Sequence, residues 1–164
     1  MTARTRRLGR VTAMQVLYEI DAVGSDPSVS IDGLVHEYEA SDEVKTFASA
    51  LVQGVLRRLP EIDALIEGVA PQWPLAQVAG VDKAVLRLAV YELRFGEDVP
   101  VKVVINEAIE IAKEYGGEGS GRFVNGVLGA IASRKSKVES RGEADPLPDG
   151  SLDTICDMGV FHLR

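Results

Sequence analysis

The chain has 164 residues, a formal net charge of -7, and 46% hydrophobic and 26% charged residues. This length suffices for one domain with its own hydrophobic core, and this composition excludes a chain that is disordered throughout. The single cysteine, Cys156, excludes an intramolecular disulfide, and His36 and His162 lie too far apart in sequence to suggest a metal site. We therefore expect no structural metal.

Hydropathy gives no indication of a membrane or secreted protein. No apolar run approaches the ~20 residues that a membrane-spanning helix needs. The basic start leads into an amphipathic segment rather than into a secretory signal. The expected location is therefore the cytoplasm.

Helical periodicity dominates the chain. Apolar residues recur at spacings of three and four, whereas the alternation typical of strands is hard to find. The pattern predicts an all-α fold with helices at about 4–23, 30–40, 41–59, 60–69, 82–95, 100–115 and 120–133. We predict one helical domain over residues 1–134, followed by a flexible C-terminal tail over 135–164, where charged residues, Pro, Gly and Ser predominate.

Individual residues mark several helix boundaries. Ser41 begins the N-capping sequence SDEV, and Pro60 suits the first turn of the next helix. Pro27, in SDPS, is expected to end helical structure in a loop, and Ser120 is expected to cap the last helix. The helix over 82–95 is apolar on nearly all sides, which predicts a central position.

The start of the chain is strongly basic. The segment RTRRLGR holds four arginines, Arg4, Arg6, Arg7 and Arg10, which we call the arginine arm; the 25 Asp and Glu residues all lie beyond residue 18. Taken alone, such a cluster is as often a solvated helix terminus as a nucleic-acid site.

One side of the first predicted helix carries groups that suit RNA. With about 100° between successive residues, four positions fall within about 80° of one another: Arg4, Arg7, Gln15 and Tyr18. Arg6 and Arg10 flank this stripe, and their guanidinium groups are expected to extend into solvent. Arginine can grip a phosphate and stack on a base, a tyrosine ring can stack, and an amide can donate and accept hydrogen bonds. The stripe therefore suits single-stranded RNA.

Four segments carry a family resemblance. RRLGRVTAMQVLYE, VDKAVLRLAVYEL, VPVKVVINEAIEIAKEYG and SGRFVNGVL, in this order and at these separations, resemble the NusB family of bacterial transcription antitermination factors. The resemblance covers about residues 4–132. It implies a compact all-helical fold of about seven helices in two small bundles, and no enzymatic activity.

The resemblance also implies RNA and protein partners. Members of the family bind the single-stranded boxA element of nascent RNA together with NusE, a ribosomal small-subunit protein. They help to assemble antitermination complexes on RNA polymerase with other Nus factors, notably on ribosomal RNA operons. The resemblance therefore favours RNA binding by the arginine arm over a solvated terminus.

Further site residues follow from the resemblance. RNA contacts are implied near the turn before the last helix, which makes Gly119, Ser120 and Arg122 secondary candidates. Asp82 and Phe123 match residues that contact NusE. Without the resemblance, Asp82 would be interpreted as a first-turn carboxylate and Phe123 as a core aromatic residue.

Three other features have simpler interpretations. The segment GGEGSG lacks the preceding strand and the spacing of a nucleotide-binding loop, so we expect an inter-helix turn and no cofactor. Trp73 is expected to close the core rather than to stack on a base. Glu107, Glu110 and Glu114 are expected to form a solvated helix face rather than a catalytic one.

Two alternative functions remain open from sequence. The family fold also occurs as an N-terminal domain in some ribosomal RNA methyltransferases, so the chain could be an accessory domain of such an enzyme. It could also be a self-associating helical module, since some family members form homodimers that cover the arginine arm.

Overall fold

The computed structural model describes residues 1–96 and 99–141, with side chains as far as Arg134. Over these residues the structure consists of seven α-helices and one 3₁₀ turn, Leu75–Gln77, with no strand. The helices are α1 Ala3–Val23, α2 Pro27–Glu37, α3 Asp42–Arg57, α4 Leu59–Val69, α5 Gly80–Phe95, α6 Val101–Tyr115 and α7 Ser120–Arg141. The predicted all-α fold is confirmed.

The helices form two small groups that share one core. Helices α1, α2 and α3 pack against one another, α4 and α6 each pack against α7, and α5 contacts both groups. The side chains at the centre are aliphatic, and the largest fully buried ones are Met14, Ile62, Ile66, Leu86, Ile111, Leu128 and Ile131. The central position predicted for α5 follows from its apolar surface and is confirmed.

Side-chain caps explain why three helices begin where they do. Thr2 accepts a hydrogen bond from the backbone N–H of Thr5 at 3.1 Å and thereby caps α1. Asp26 caps α2 in the same way, and Ser41 caps α3 as predicted. Because each side chain satisfies an otherwise unpaired N–H, each contributes about 1 kcal/mol to helix stability.

Several predicted boundaries are wrong. Pro27 is the first residue of α2 rather than a loop residue, because Asp26 caps the helix and proline needs no N–H at that position. Helix α5 begins at Gly80, two residues earlier than predicted. The backbone of α7 is helical as far as Arg141, so residues 135–141 extend a helix where the tail was expected to start. The remainder of the expected tail, 142–164, lies outside the described residues.

Membrane insertion finds no support in the helices that the structure describes. None of them combines the length and the apolar character that crossing a bilayer requires.

Candidate functional site

The outer end of the arginine arm is exposed and already helical. Arg4 and Arg6 lie in the first turns of α1, which Thr2 caps. Both side chains face solvent, and within the described part of the chain neither forms an ion pair. Their guanidinium groups are therefore available to a ligand, and little backbone ordering is needed when it binds.

Arg7 bridges α1 to α6. Its guanidinium lies 3.3 Å from Glu114 Oε2 and 3.9 Å from Glu107 Oε1. The pair with Glu114 is exposed to solvent, and such pairs contribute only about 0–1 kcal/mol. Arg7 can thus exchange Glu114 for a phosphate at small cost. The expectation that Glu107 belongs to a freely solvated face is wrong, because it is half-buried against the arm.

Arg10 is buried, and the prediction that its guanidinium extends into solvent is wrong. Its Nε donates to both carboxylate oxygens of Glu92, at 2.8 and 3.2 Å, and its guanidinium lies 5.8 Å from the centre of the Phe47 ring. Both Arg10 and Glu92 are about 5% exposed. A buried cation held in this way is a structural group and has no free surface for RNA.

The predicted stripe along α1 is interrupted. Residues 9–14 are buried on every side of the helix, since α2, α3 and α5 all pack around α1. Val11 and Met14 therefore belong to the core, although their helical positions lie near those of Arg7 and Gln15. This buried section separates Arg7 from Gln15 by about 12 Å along the helix axis.

Tyrosines from other helices bridge this gap. Tyr38, at the end of α2, donates a hydrogen bond from its hydroxyl to Gln15 Oε1 at 2.7 Å. Tyr115, at the end of α6, is exposed and lies close enough to Arg7 and Tyr38 to interact electrostatically with both. Tyr18 is 43% exposed at the far end of the series. We call Tyr115, Tyr38 and Tyr18 the tyrosine row.

Tyr115 keeps its proton at neutral pH. Partial burial, and then the negative charge of Glu114, raise the pKa of its phenol above the ordinary value of 10.0. Its hydroxyl therefore remains a hydrogen-bond donor beside the arginine arm.

A groove of about 360 Å³ lies between the loop after α4, the start of α5 and the start of α7. Its lining includes Trp73, Asp82, Gly119, Ser120 and Phe123, and we call it the Trp73–Phe123 groove. The rings of Trp73 and Phe123 meet edge to face, with centres 6.4 Å apart and planes inclined at 72°. Trp73 is 53% exposed, so the expectation that it closes the core is wrong.

Polar groups in this groove differ in their availability. Asp82 is only 8% exposed, and its Oδ1 has no hydrogen-bond partner among the described residues. An unpaired buried carboxylate oxygen is costly, so this atom favours a donor supplied from outside. Glu118 and Gln77, which also line the groove, were not anticipated, and no sequence motif distinguishes them.

The secondary candidates fall in different places. Gly119 adopts φ 84°, in the left-handed region, and precedes α7 in the position that Ser120 was predicted to take. Ser120 is instead the first helical residue, and its buried hydroxyl accepts the N–H of Gly117 at 3.0 Å, which leaves it poorly placed to contact RNA. Arg122 is exposed in the first turn of α7.

The tyrosine row leads to this groove. A Cβ placed on Gly80 would lie 2.7 Å from Tyr18 Cε2, so the Tyr18 ring packs directly over the start of α5. The adjacent residues Val78 and Ala79 line the groove. The exposed arginines, the tyrosine row and the Trp73–Phe123 groove thus follow one another across the surface.

A NusB family model matches residues 7–133. The chain belongs to the NusB family. It is 40% identical to a transcription antitermination protein NusB from Syntrophus aciditrophicus, over 90% of this chain and 92% of that protein. It is 42% identical to one from Pelotomaculum thermopropionicum, over 90% of this chain and 98% of that protein. These family members act in transcription antitermination and are not enzymes, as the resemblance in sequence implies.

Solved NusB structures share the fold. T. maritima NusB is 38% identical and superposes with a TM-score of 0.74, over 85% of this chain and 99% of that one. A second match is a crystal structure of antitermination factors NusB and NusE in complex with dsRNA. The matching chain is 32% identical and superposes with a TM-score of 0.73, over 81% of this chain and 99% of that one. The identification of a NusB-like all-helical fold from sequence is confirmed.

Proposed function

We propose that this antitermination factor binds boxA-type single-stranded RNA together with NusE, and that it supports antitermination complexes on RNA polymerase, notably at ribosomal RNA operons. The observation that carries the proposal is the adjacency of two surfaces. Exposed arginines at the start of α1 connect, through the tyrosine row, to a groove that holds an unpaired buried carboxylate oxygen and an exposed tryptophan. The protein would act in the cytoplasm on nascent transcripts.

Arg4, Arg6 and Arg7 form the RNA half of the surface. Their guanidinium groups would bind phosphates, while the tyrosine row offers ring faces for unpaired bases. The rest of the chain is acidic, so attraction to nucleic acid has to be local rather than general. Three phosphate contacts predict a log-log salt slope of about -2 on single-stranded RNA, at about -0.7 per contact.

Asp82 and Phe123 form the protein half of the surface. A donor from NusE would satisfy Asp82 Oδ1, and an apolar side chain would fill the space between Trp73 and Phe123. Aromatic side chains in such grooves commonly supply much of the binding energy of a protein interface. Because the groove adjoins Tyr18, RNA and NusE would lie in contact and increase each other's affinity.

The test is a titration of boxA RNA against the wild type and the Arg4→Ala/Arg6→Ala variant, with and without NusE. We expect the variant to lose about tenfold or more in RNA affinity, because each exposed arginine provides charge-assisted contacts to phosphate. Both positions are exposed, so the helical circular dichroism should not change.

The matched control is Lys45→Gln/Lys102→Gln, which removes two charges from exposed positions on α3 and α6. It should bind RNA within about twofold of the wild type, since neither lysine belongs to the proposed RNA surface and exposed charges that contact no phosphate are screened by salt. Equal RNA affinity of the arginine variant and this control would refute the RNA half of the proposal.

A further inference from the structure

Two adjoining cavities lie on the α3–α5 side of the molecule, away from the groove. The first, of about 320 Å³, is lined mainly by Phe47, Tyr91 and Phe95 and has the Arg10–Glu92 pair in its wall; we call it the aromatic cavity. The second has a volume of about 230 Å³. The two share Tyr91 and Phe95, so a ligand in one can extend into the other.

The second cavity is cationic. Its lining is Gly54, Arg57, Arg58, Tyr91 and Phe95, and we call it the arginine cavity. The absence of a side chain at Gly54 is required, because a Cβ there would collide with the Tyr91 ring. The Tyr91 and Phe95 rings are inclined at 33° with centres 6.0 Å apart, and together they form its apolar wall.

Among the described residues, both arginines of this cavity have N–H groups without a hydrogen-bond partner. Over the part of the chain that the structure describes, Arg57 donates only from its Nε, to the backbone oxygen of Gln53 at 3.3 Å. Arg58 lies over the Phe95 ring, 4.8 Å from its centre, and one of its N–H groups donates to Glu61 at 3.1 Å. The guanidinium has five N–H donors, so each arginine can still bind a phosphate.

We propose that the two cavities form a second binding site for single-stranded RNA, with a base in the aromatic cavity and its phosphate at Arg57 and Arg58. This inference rests on the proposed RNA-binding function and extends it to a second surface. Paired arginines with spare donors stand out in a chain of net charge -7, and they complement a phosphate backbone. Stacking faces next to cations are the arrangement by which proteins hold unpaired bases.

The site lies on a path from the arginine arm. Arg6 and Arg10 are four residues apart on α1 and therefore share a side of that helix. Arg10 lines the aromatic cavity. Exposed Arg6 lies about one helical turn, or roughly 6 Å along the axis of α1, from Arg10. One RNA strand could thus contact the arm and continue past Phe47 to Arg57 and Arg58.

The test compares the Arg57→Gln/Arg58→Gln variant with wild type on two RNAs, of about 6 and about 20 nucleotides, which bracket the usual footprint on a single-strand site. For the long RNA we expect at least about a fivefold loss of affinity and a salt slope shallower by about 1.4, as two lost phosphate contacts predict. Affinity for the short RNA, which occupies the arm, should not change. In photocrosslinking, 4-thiouridine in the long RNA should label the peptides that contain Tyr91 and Phe95.

Three outcomes separate this inference from the proposed function. If the variant binds the long RNA as the Lys45→Gln/Lys102→Gln control does, with the same salt slope, the second site does not exist, although the arm can still be functional. If the variant instead loses affinity for NusE alone, the cavities bind a polypeptide and the inference is wrong. If the wild type binds neither RNA, the proposed function itself is overturned, and the second site with it.

Discussion

Replacing Glu92 by glutamine should destabilise the fold strongly, because it leaves the Arg10 guanidinium buried without a counter-charge. Both side chains are at least nine-tenths buried, and the Nε of Arg10 donates to both oxygens of the carboxylate. Breaking one partner of such a pair costs about 3–5 kcal/mol. For a chain of this size, that corresponds to a decrease of about 6–20 °C in the melting temperature.

Urea unfolding followed by far-ultraviolet circular dichroism measures this cost directly. A second variant, Arg10→Met/Glu92→Leu, removes both charges together and should recover most of the lost stability, since well-packed apolar residues often replace a buried ion pair at no net cost. Arg6→Ala is the matched single-site control. Arg6 is exposed one turn earlier, so its removal should change the unfolding free energy by less than about 0.5 kcal/mol.

The RNA affinity of the folded Arg10→Met/Glu92→Leu variant shows whether Arg10 only stabilises the fold or also contacts RNA. A structural Arg10 predicts arm-dependent RNA affinity equal to that of the wild type. Our assignment of Arg10 as a structural group would be refuted by a double variant of native stability whose affinity for a short RNA falls tenfold.

Two more predictions concern the partner groove and acid stability. Phe123→Ala should weaken NusE binding, measured by calorimetry, by about 1–3 kcal/mol, as truncation of an aromatic anchor does. Binding of the short RNA in the absence of NusE should not change. Undiminished NusE affinity would exclude the groove as the NusE site. The hydrogen bond that Lys83 donates at 3.0 Å, together with Arg87, holds the pKa of Asp21 below its ordinary value of 3.8. The ionised carboxylate therefore stabilises the fold above that pH, and this contribution is lost as the pH falls through the lowered pKa. Wild type should exceed Asp21→Asn in unfolding free energy by up to about 1 kcal/mol at pH 7, and the difference should vanish in acid rather than grow.

Local sequence predicts the helices that carry their own boundary residues. Ser41 caps α3 as expected, because a hydroxyl needs only the N–H groups of the next turn. Pro27 shows the limit of the same reasoning. Proline breaks a helix when it lies in the interior, but it is favourable in the first turn. Here the preceding residue, Asp26, decides between the two, because it caps α2.

Contacts between distant segments do not follow from local sequence. Arg10 is buried because Glu92, 82 residues away, lies opposite it. One indication was present: α5 was predicted to be apolar on nearly all sides, and a carboxylate in such a helix requires a cation. The sequence does not identify which arginine provides it.

The prediction of a continuous stripe along α1 was wrong for a related reason. The angular positions of Arg7, Gln15 and Tyr18 on α1 were correct, but one helix does not reveal how many neighbours surround it. Helices α2, α3 and α5 bury its middle section, and the surface continues over tyrosines of α2 and α6 instead. Predicting this would have required the packing of the whole domain.

The sequence contains a single tryptophan, and it stands half-exposed at the edge of the groove against Phe123. Indole emission shifts to shorter wavelengths when water leaves the ring. Binding of a polypeptide in the groove should therefore shift the Trp73 emission, and no added label is needed to detect it. A short RNA confined to the arginine arm would leave that emission unchanged. The fluorescence of Trp73 can therefore show in which order the two partners bind.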